Sequence, residues 1–157
     1  CKIAGGAKYN VTPEEVYMEG TTRCIHQEDR DKIARRIREL SESIAEGRGA
    51  SIDFEFIDGY PVVDNSKVMT DFLHQSALGL LDPDQIVVLN KPVMGGEDMA
   101  FYLQKVPGTL FFLGAAKKTD GTIYPIHHAK FDLDESVLWT GSGLLAKVAY
   151  EWLEENC

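Results

Sequence analysis

The sequence predicts an α/β protein, and three observations support this fold class. The chain has 157 residues, of which 44% are hydrophobic and 26% are charged, a composition typical of a globular protein with its own core. One long segment repeats apolar residues at α-helical spacing, while others alternate or run apolar as β-strands do. In the second half these patterns follow the order helix, strand, helix, strand, helix, which indicates an α/β layer.

The first lobe is predicted to contain two strands, a helix and a third strand. The first two strands are expected at residues 2–4 and within residues 15–24, with turns at Gly5 and Gly6 and at residues 12–13. A helix is predicted over residues 27–46, ending at a left-handed Gly47 and carrying one apolar stripe: Ile33, Ile37, Leu40 and Ile44. Residues 51–57 alternate apolar and acidic side chains, which predicts a strand with one wet face.

A lobe boundary is predicted at residues 59–61, which gives lobes 1–60 and 61–157. Asp64 or Asn65 is expected to cap a helix that runs to about residue 80 and turns three side chains inward: Val68, Phe72 and Leu73. The apolar runs 86–89 and 109–113 predict buried strands, and a short helix is expected after Gly95 and Gly96. A last helix over residues 135–155 is predicted to bury four side chains: Leu138, Leu145, Val148 and Trp152.

The charge balance bears on the partners and the compartment. With 16 basic and 25 acidic residues the formal net charge is −9, so neither nucleic acid nor an anionic membrane is an expected partner. No apolar stretch is long enough to span a membrane. The three cysteines, Cys1, Cys24 and Cys157, lack disulfide or zinc-ribbon spacing, and nothing resembling a signal peptide opens the sequence. These features favour a reduced, cytoplasmic protein.

Adjacent histidines, His127 and His128, lie in the longest segment without predicted regular structure, residues 115–130. A neutral imidazole can bind a divalent metal, and Asp132, Asp134 and Glu135 are close enough in sequence to orient it. The alternative is a pair of exposed loop histidines. A metal site needs three or more ligands, and this cluster supplies one or two.

Two other groups are candidates for chemistry. Glu97 and Asp98 follow a glycine pair, so either could contact substrate, act as a general base or support the ligands of a metal. The alternative is that they are acids at a helix start, where negative charge is favourable. Arg23 could hold a carboxylate with two hydrogen bonds, and Asn10 could hydrogen-bond an amide or an oxyanion. The alternative is that Asn10 forms a turn and Arg23 is a surface charge.

Four motifs occur in a specific order along the chain. Gly5 and Gly6 with N-V-T-P at residues 10–13 resemble G-G-x-x-x-N-V-I-P, and E-G-T-T-R at residues 19–23 resembles L/E-G-T-x-R. M-G-G-E-D-M-A at residues 94–100 resembles M-G-S-E-D-F-A, with V-P-G following at residues 106–108, and I-H-H-A-K-F-D at residues 126–132 resembles L-H-S-P-x-F-D. Together they resemble the C-terminal portion of the metal-dependent amidohydrolases that include hippurate hydrolase, N-acyl-amino-acid amidohydrolase and the auxin-conjugate hydrolases, within the aminoacylase and carboxypeptidase group of metallopeptidases.

The resemblance implies hydrolysis of the amide bond of an N-acyl-amino acid by a metal-activated water. It implies an α+β lid lobe at residues 1–60 and the C-terminal part of a zinc-peptidase-like catalytic domain at residues 61–157. His127 would be a ligand in a two-metal site for Zn, Mn, Co or Ni, with Glu97 as a catalytic residue beside it. Asn10 and Arg23 would hold the substrate. His128 stands where the family has Ser or Asn, so the resemblance gives it no ligand role.

The family's remaining metal ligands and general base belong to motifs that this sequence lacks, among them H-A-C-G-H-D and a Glu-Glu pair. The chain is therefore expected to be a C-terminal fragment that is inactive alone. It is expected to form a homodimer through the lid lobe or to associate with a missing N-terminal part. Two alternatives are a non-catalytic module derived from the lid, and a dipeptidase or carboxypeptidase of the same group.

Overall fold

Two units make up the chain, which a computed structural model describes over residues 1–157. The first comprises Cys1–Val62 with Lys91–Gly96, and the second comprises Val63–Asn90 with Glu97–Cys157. Lys91–Gly96, which the sequence assigns to the second lobe, thus belongs to the first unit. The assignment of a lid to residues 1–60 and of a catalytic part to residues 61–157 stays a prediction. No helix of the structure is both long enough and apolar enough to cross a membrane.

The first unit opens with an antiparallel hairpin. Strand β1, Lys2–Gly5, pairs with strand β2, Val16–Glu19, in a register that places Lys2 opposite Glu19 and Gly5 opposite Val16. Gly6, directly after β1, has a φ of +80°, a conformation that glycine adopts without steric cost. Two strands are therefore confirmed, although β2 is shorter than the predicted segment. Every residue of both strands is exposed.

Helix α1 extends over Gln27–Glu46, the range that the apolar spacing predicts. Its predicted stripe is mostly exposed, however, since Leu40 and Ile44 are 51% and 67% exposed. Arginines attach the helix to the following segment: Arg30 lies 2.8 Å from the Asp58 carboxylate, and Arg38 donates to the Phe54 carbonyl at 3.1 Å. The side of α1 that meets residues 51–59 thus carries long basic side chains, and the apolar stripe lies elsewhere.

The end of α1 also differs from the prediction. Gly47 keeps a right-handed conformation with a φ of −62°, and the left-handed residue is Gly49, with a φ of +71°. The Ala50 amide then donates to the Ala45 carbonyl at 2.9 Å, which satisfies one of the last helical carbonyls. The chain therefore continues in helical turns for two residues beyond the predicted stop.

Residues 51–57 show the predicted alternation of burial without forming a strand. Ile52, Phe54 and Phe56 are half-buried and the residues between them are exposed. No second segment pairs with them, because the only sheet of this unit is the β1–β2 hairpin. A β-ladder needs hydrogen bonds from a partner strand. The alternating pattern therefore determines which side chains are half-buried, but it does not make the segment a strand.

The second unit is built on three helices. Helices α2, Lys67–Leu78, and α4, Leu138–Asn156, pack together, while α3, Met99–Leu103, is a short helix at the predicted place after the glycine pair. One-turn 3-10 helices occur at Pro83–Gln85 and Glu135–Val137. The core is small: three buried residues with three partly buried neighbours, namely Leu73, Ala77 and Leu144 with Ile86, Phe111 and Val148.

The core face of α4 differs from the predicted one. Leu138 and Leu145 are 49% and 60% exposed, and Val68 of α2 is 69% exposed, so these three assignments are wrong. Leu144, 6% exposed, fills the position instead. Gly141 is buried one turn earlier, and a Cβ there would lie 2.9 Å from the end of the Leu113 side chain. Val148 and Trp152 are half-buried as predicted, so the packed face of α4 combines them with Gly141 and Leu144.

The predicted strands 86–89 and 109–113 do not enter a sheet. Val87, Val88 and Leu89 are 77%, 75% and 58% exposed. Residues 109–113 pair instead with the side chain of Asn65, which donates to the Leu110 carbonyl at 2.9 Å and accepts from the Leu110 amide at 2.8 Å. Asn65 is therefore not the helix cap, and neither is Asp64, because the cap position of α2 is Ser66.

A second hairpin lies in residues 115–130, which the sequence analysis left without regular structure. Strands β3, Lys118–Thr119, and β4, Thr122–Ile123, are joined by Asp120 and Gly121, both with positive φ. Two positive φ values at the central positions of a two-residue loop are those of a type I′ turn, and Asp-Gly is a favoured sequence for it.

Candidate active site

The predicted site residues divide between the two units. Asn10 and Arg23 belong to the first unit, and Glu97 and His127 belong to the second. Asn10 is exposed in the turn after β1. Arg23 is also exposed, and its guanidinium donates to the Thr21 hydroxyl at 3.0 Å. No hydrogen bond or ion pair joins Asn10 to Arg23, so the structure leaves both side chains open to solvent.

Glu97 is placed by the turn that precedes α3. Asp98 occupies the cap position of that helix, and the Glu97 carbonyl accepts from the Ala100 amide at 3.3 Å. The Glu97 side chain is half-buried, and its carboxylate makes no hydrogen bond or ion pair. A carboxylate without an internal partner retains its full capacity to accept a proton or a hydrogen bond from a substrate.

His127 occupies an exposed and conformationally unusual position. Its φ is +74°, in the left-handed region, which is uncommon for residues other than glycine, although asparagine, aspartate and histidine adopt it more often than other side chains do. The His128 amide donates to the Pro125 carbonyl at 3.1 Å, which closes a β-turn with His127 as its third residue. The His127 imidazole makes no hydrogen bond or ring contact, so both ring nitrogens are available to a ligand.

His128 has several partners. Its ring stacks on Tyr124 with centroids 4.4 Å apart, and its Nδ1 atom accepts from the Lys130 amide at 3.0 Å. The Tyr124 hydroxyl donates to Asp120 at 3.1 Å, and the Lys130 ammonium lies 3.0 Å from the same carboxylate. No sequence pattern predicts these contacts of Asp120, Tyr124 and Lys130.

Asp132 and Asp134, the acids predicted to orient a histidine, bind other partners. The Lys117 ammonium lies 2.6 Å from the Asp132 carboxylate, and this hydrogen bond lowers the pKa of Asp132 and raises that of Lys117. Hydrogen bonds from Ser136 lower the pKa of Asp134, whose carboxylate accepts from the Ser136 amide at 2.9 Å. Neither acid contacts a histidine, so this part of the sequence interpretation is wrong.

The donor set of this chain does not form a metal site by itself. Nowhere in residues 1–157 do three or more histidine, cysteine, aspartate or glutamate side chains come together in a way that could hold a metal ion. A catalytic zinc site normally has three protein ligands, and His127 supplies one. The residues present therefore do not fit the complete two-metal site that the family resemblance implies.

Comparison with solved structures defines the fold, which is of the α/β type. The chain matches the Bacillus subtilis YXEP protein, described as a dinuclear metal binding peptidase from the M20 family, with a TM-score of 0.79 and 30% sequence identity. The match covers 98% of this chain and 41% of that chain. At this identity and coverage, the similarity confirms the predicted α/β fold class.

The chain belongs to the peptidase family M20/M25/M40, whose model matches residues 4–151. It is 38% identical to thermostable carboxypeptidase 1 of Saccharolobus solfataricus, across 89% of this chain and 35% of that protein. It is 33% identical to the N-acetylcysteine deacetylase of Bacillus subtilis, across 98% of this chain and 38% of that protein. The predicted family resemblance is confirmed, and the chain spans under two-fifths of the length of these two relatives.

Proposed function

We propose that this chain is part of a metal-dependent hydrolase that cleaves the amide bond of N-acyl-amino acids. Membership of the M20 family carries the proposal, since the family model covers residues 4–151 and one relative is named a deacetylase of an N-acetyl-amino acid. Divalent metals are supported in general by the dinuclear metal binding peptidase whose fold the chain shares. When bound, such metals supply polarisation of a carbonyl and activation of water.

Four residues are assigned roles in this proposal. His127 is a metal ligand, in a site for two ions of Zn, Mn, Co or Ni, because its exposed imidazole has no internal partner and matches the family's histidine motif. Glu97 is a catalytic residue beside the metal site, because its half-buried carboxylate is unpaired and can contact substrate. Asn10 and Arg23 hold the substrate: a guanidinium that spends one donor on Thr21 keeps others for a carboxylate.

The remaining metal ligands come, in this proposal, from polypeptide outside these 157 residues. The large exposed surface of the chain supports association with further polypeptide. The chain exposes 13,039 Å², whereas two separately folded domains of the sizes of its units would expose about 9,500 Å² together. Val87, Val88 and Leu89 contribute apolar surface in the second unit, which we assign to the missing N-terminal part. The hairpin and the exposed stripe of α1 in the first unit are assigned to a second copy of the chain.

The test is hydrolysis by the full gene product that contains this sequence, with acyl-amino acids and dipeptides as substrates. His127→Ala is expected to reduce turnover by at least about 100-fold, because removing a ligand costs more than the 10- to 100-fold typical of residues behind the ligands. His26→Ala is the matched control, because His26 is an exposed histidine whose side chain does not cap α1. Turnover that survives His127→Ala would refute the metal role.

The 157 residues alone are expected to show negligible turnover with any added divalent metal. Robust, chelator-sensitive hydrolysis by this chain alone would refute the need for further ligands. A preference for dipeptides would favour the runner-up function, a dipeptidase or carboxypeptidase, which the similarity to the Saccharolobus solfataricus carboxypeptidase supports. A full gene product inactive on every substrate would favour the non-catalytic interaction module.

A further inference from the structure

We propose that His128 and Tyr124 are positioning residues that hold the His127 backbone in its left-handed conformation and so fix the direction of its imidazole. The proposal depends on the proposed function in one respect: the oriented imidazole of His127 is taken to be a metal ligand. The conformation itself is a property of this loop and can be measured without metal or substrate.

The left-handed backbone of His127 requires support from its surroundings. A type II β-turn takes a positive φ at its third residue, where glycine or asparagine is usual. Histidine carries a Cβ, so a φ of +74° is costly and persists only where neighbouring contacts determine it. The His127 side chain makes no contact of its own, and the hydrogen bonds and ring contact beside it are all made by His128.

The first support is the hydrogen bond from the Lys130 amide to His128 Nδ1, at 3.0 Å. Side chains of Ser, Asn and Asp commonly accept such a bond from the amide two residues ahead. The Nδ1 atom of His128 provides an acceptor of the same kind. A second turn follows directly, since the Phe131 amide donates to the His128 carbonyl at 2.9 Å. His127 therefore lies between a β-turn and a side-chain-closed turn.

The second support is the stack of His128 on Tyr124, which Ser or Asn could not provide. The rings are nearly parallel, with an interplanar angle of 17° and centroids 4.4 Å apart. Tyr124 is itself held by its hydroxyl, which donates to Asp120 in the β3–β4 turn, and Lys130 binds the same carboxylate. The β3–β4 turn thus holds the Tyr124 hydroxyl, and the Tyr124 ring packs against the His128 ring. With the His128 ring held in place, the backbone of His127 is also restricted.

The geometry also specifies a tautomer. Because His128 Nδ1 accepts a hydrogen bond from an amide, the neutral imidazole carries its proton on Nε2. The nitrogen chemical shifts of the His128 ring report this tautomer directly. A ring without this hydrogen bond would populate both neutral tautomers.

The experiment is nuclear magnetic resonance on the full gene product that contains this sequence, without metal, at about pH 8, above the usual imidazole range. Three observables apply: the Lys130 amide exchange rate, the His128 ring nitrogen shifts and the intraresidue amide-to-Hα Overhauser effect of His127, which is strong only at positive φ. His128→Ala should accelerate Lys130 amide exchange about threefold to tenfold and weaken the His127 effect. His128→Asn should restore slow exchange, because its side chain offers the same acceptor.

Tyr124→Leu should weaken the His127 Overhauser effect while leaving the Lys130 hydrogen bond partly protected. Tyr9→Leu is the control, because Tyr9 is fully exposed and lies in the other unit. The proposal is overturned if the His127 effect is unchanged in both His128→Ala and Tyr124→Leu, or if His128→Asn exchanges as fast as His128→Ala. Neither outcome affects the metal role of His127, which turnover of His127→Ala tests separately.

Discussion

The side chain of Asn65 offers the sharpest test of how the second unit is held together. Its amide makes two hydrogen bonds with one backbone residue, donating to the Leu110 carbonyl at 2.9 Å and accepting from the Leu110 amide at 2.8 Å. The Ser66 amide donates to the Gly108 carbonyl at 2.9 Å beside them. These bonds attach the start of α2 to a segment more than 40 residues away, in the manner of a one-residue ladder.

The expected magnitude follows from these two bonds. A hydrogen bond between uncharged groups contributes about 0.5 to 1.5 kcal/mol net, so Asn65→Ala should lower the free energy of unfolding by about 1 to 3 kcal/mol. Because Asn65 is exposed, water can replace part of the lost bonding, which favours the lower half of that range. Asn65→Asp should cost at least as much, since its carboxylate keeps the acceptor but faces the Leu110 carbonyl without a donor.

Urea unfolding followed by helical circular dichroism measures these changes, and Leu110 amide exchange locates them. Asp64→Ala is the control: Asp64 is adjacent, exposed and without a hydrogen bond, so its loss should stay within about 0.5 kcal/mol. Equal destabilisation by Asn65→Ala and Asp64→Ala would refute the reasoning. So would an Asn65→Asp variant as stable as the original chain, because the donor would then contribute nothing.

Two further predictions concern the core and a charged pair. Leu144→Ala should lower the free energy of unfolding by about 3 kcal/mol, because Leu144 is 6% exposed. Leu145→Ala, at a position 60% exposed, should lower it by under about 1 kcal/mol in the same urea assay. Equal losses would contradict the assigned helix face. The pKa of Asp132 should lie below the ordinary aspartate value, so its stabilisation is present at neutral pH and is lost as pH falls through the folded-state pKa. Lys117→Met should raise that pKa in a carboxyl carbon titration and Lys118→Met should not; no change with Lys117→Met would contradict the pairing.

Helices were predictable because their signals are local. The bounds of α1 follow from spacing that repeats within 20 residues, and α4 begins one 3-10 turn later than predicted. The buried face was less predictable. Leu144 and Leu145 are chemically identical neighbours, and the buried one shares its face with Gly141, which Leu113 approaches closely. That approach involves residues almost 30 positions apart, which periodicity does not encode.

Strands were poorly predicted for a physical reason. In residues 51–57 the alternation correctly indicates the half-buried face, but a ladder also needs donors and acceptors from another segment. The β3–β4 hairpin was missed, although the Asp120 and Gly121 dipeptide between short segments was an available signal. Strand identity thus depended on turn chemistry and on partners more than on the apolar pattern.

The candidate site was predictable as a set of residues, but its contacts were not. Motif resemblance selects His127, yet sequence proximity wrongly assigned Asp132 and Asp134 to the histidines. Other groups bind these carboxylates in place of the histidines. The Lys117 ammonium pairs with Asp132, and the Ser136 amide, two residues away, donates to Asp134. Local capping and ion pairing therefore take precedence over the longer reach to a loop histidine.

The exposed apolar segments help to choose between the proposed functions. An independent interaction module would need a core sufficient for its own stability, with one apolar patch reserved for a partner. Here the second unit buries only a small core, while Val87, Val88 and Leu89 stay exposed in a sequence pattern typical of a strand covered on both faces. A segment with that pattern is suited to the interior of a sheet, where strands on either side would cover its edges. Polypeptide outside these 157 residues could supply both the neighbouring strands and the remaining metal ligands. Its absence would explain why residues 87–89 are exposed and why the metal site is incomplete. This favours part of a hydrolase over a separate module.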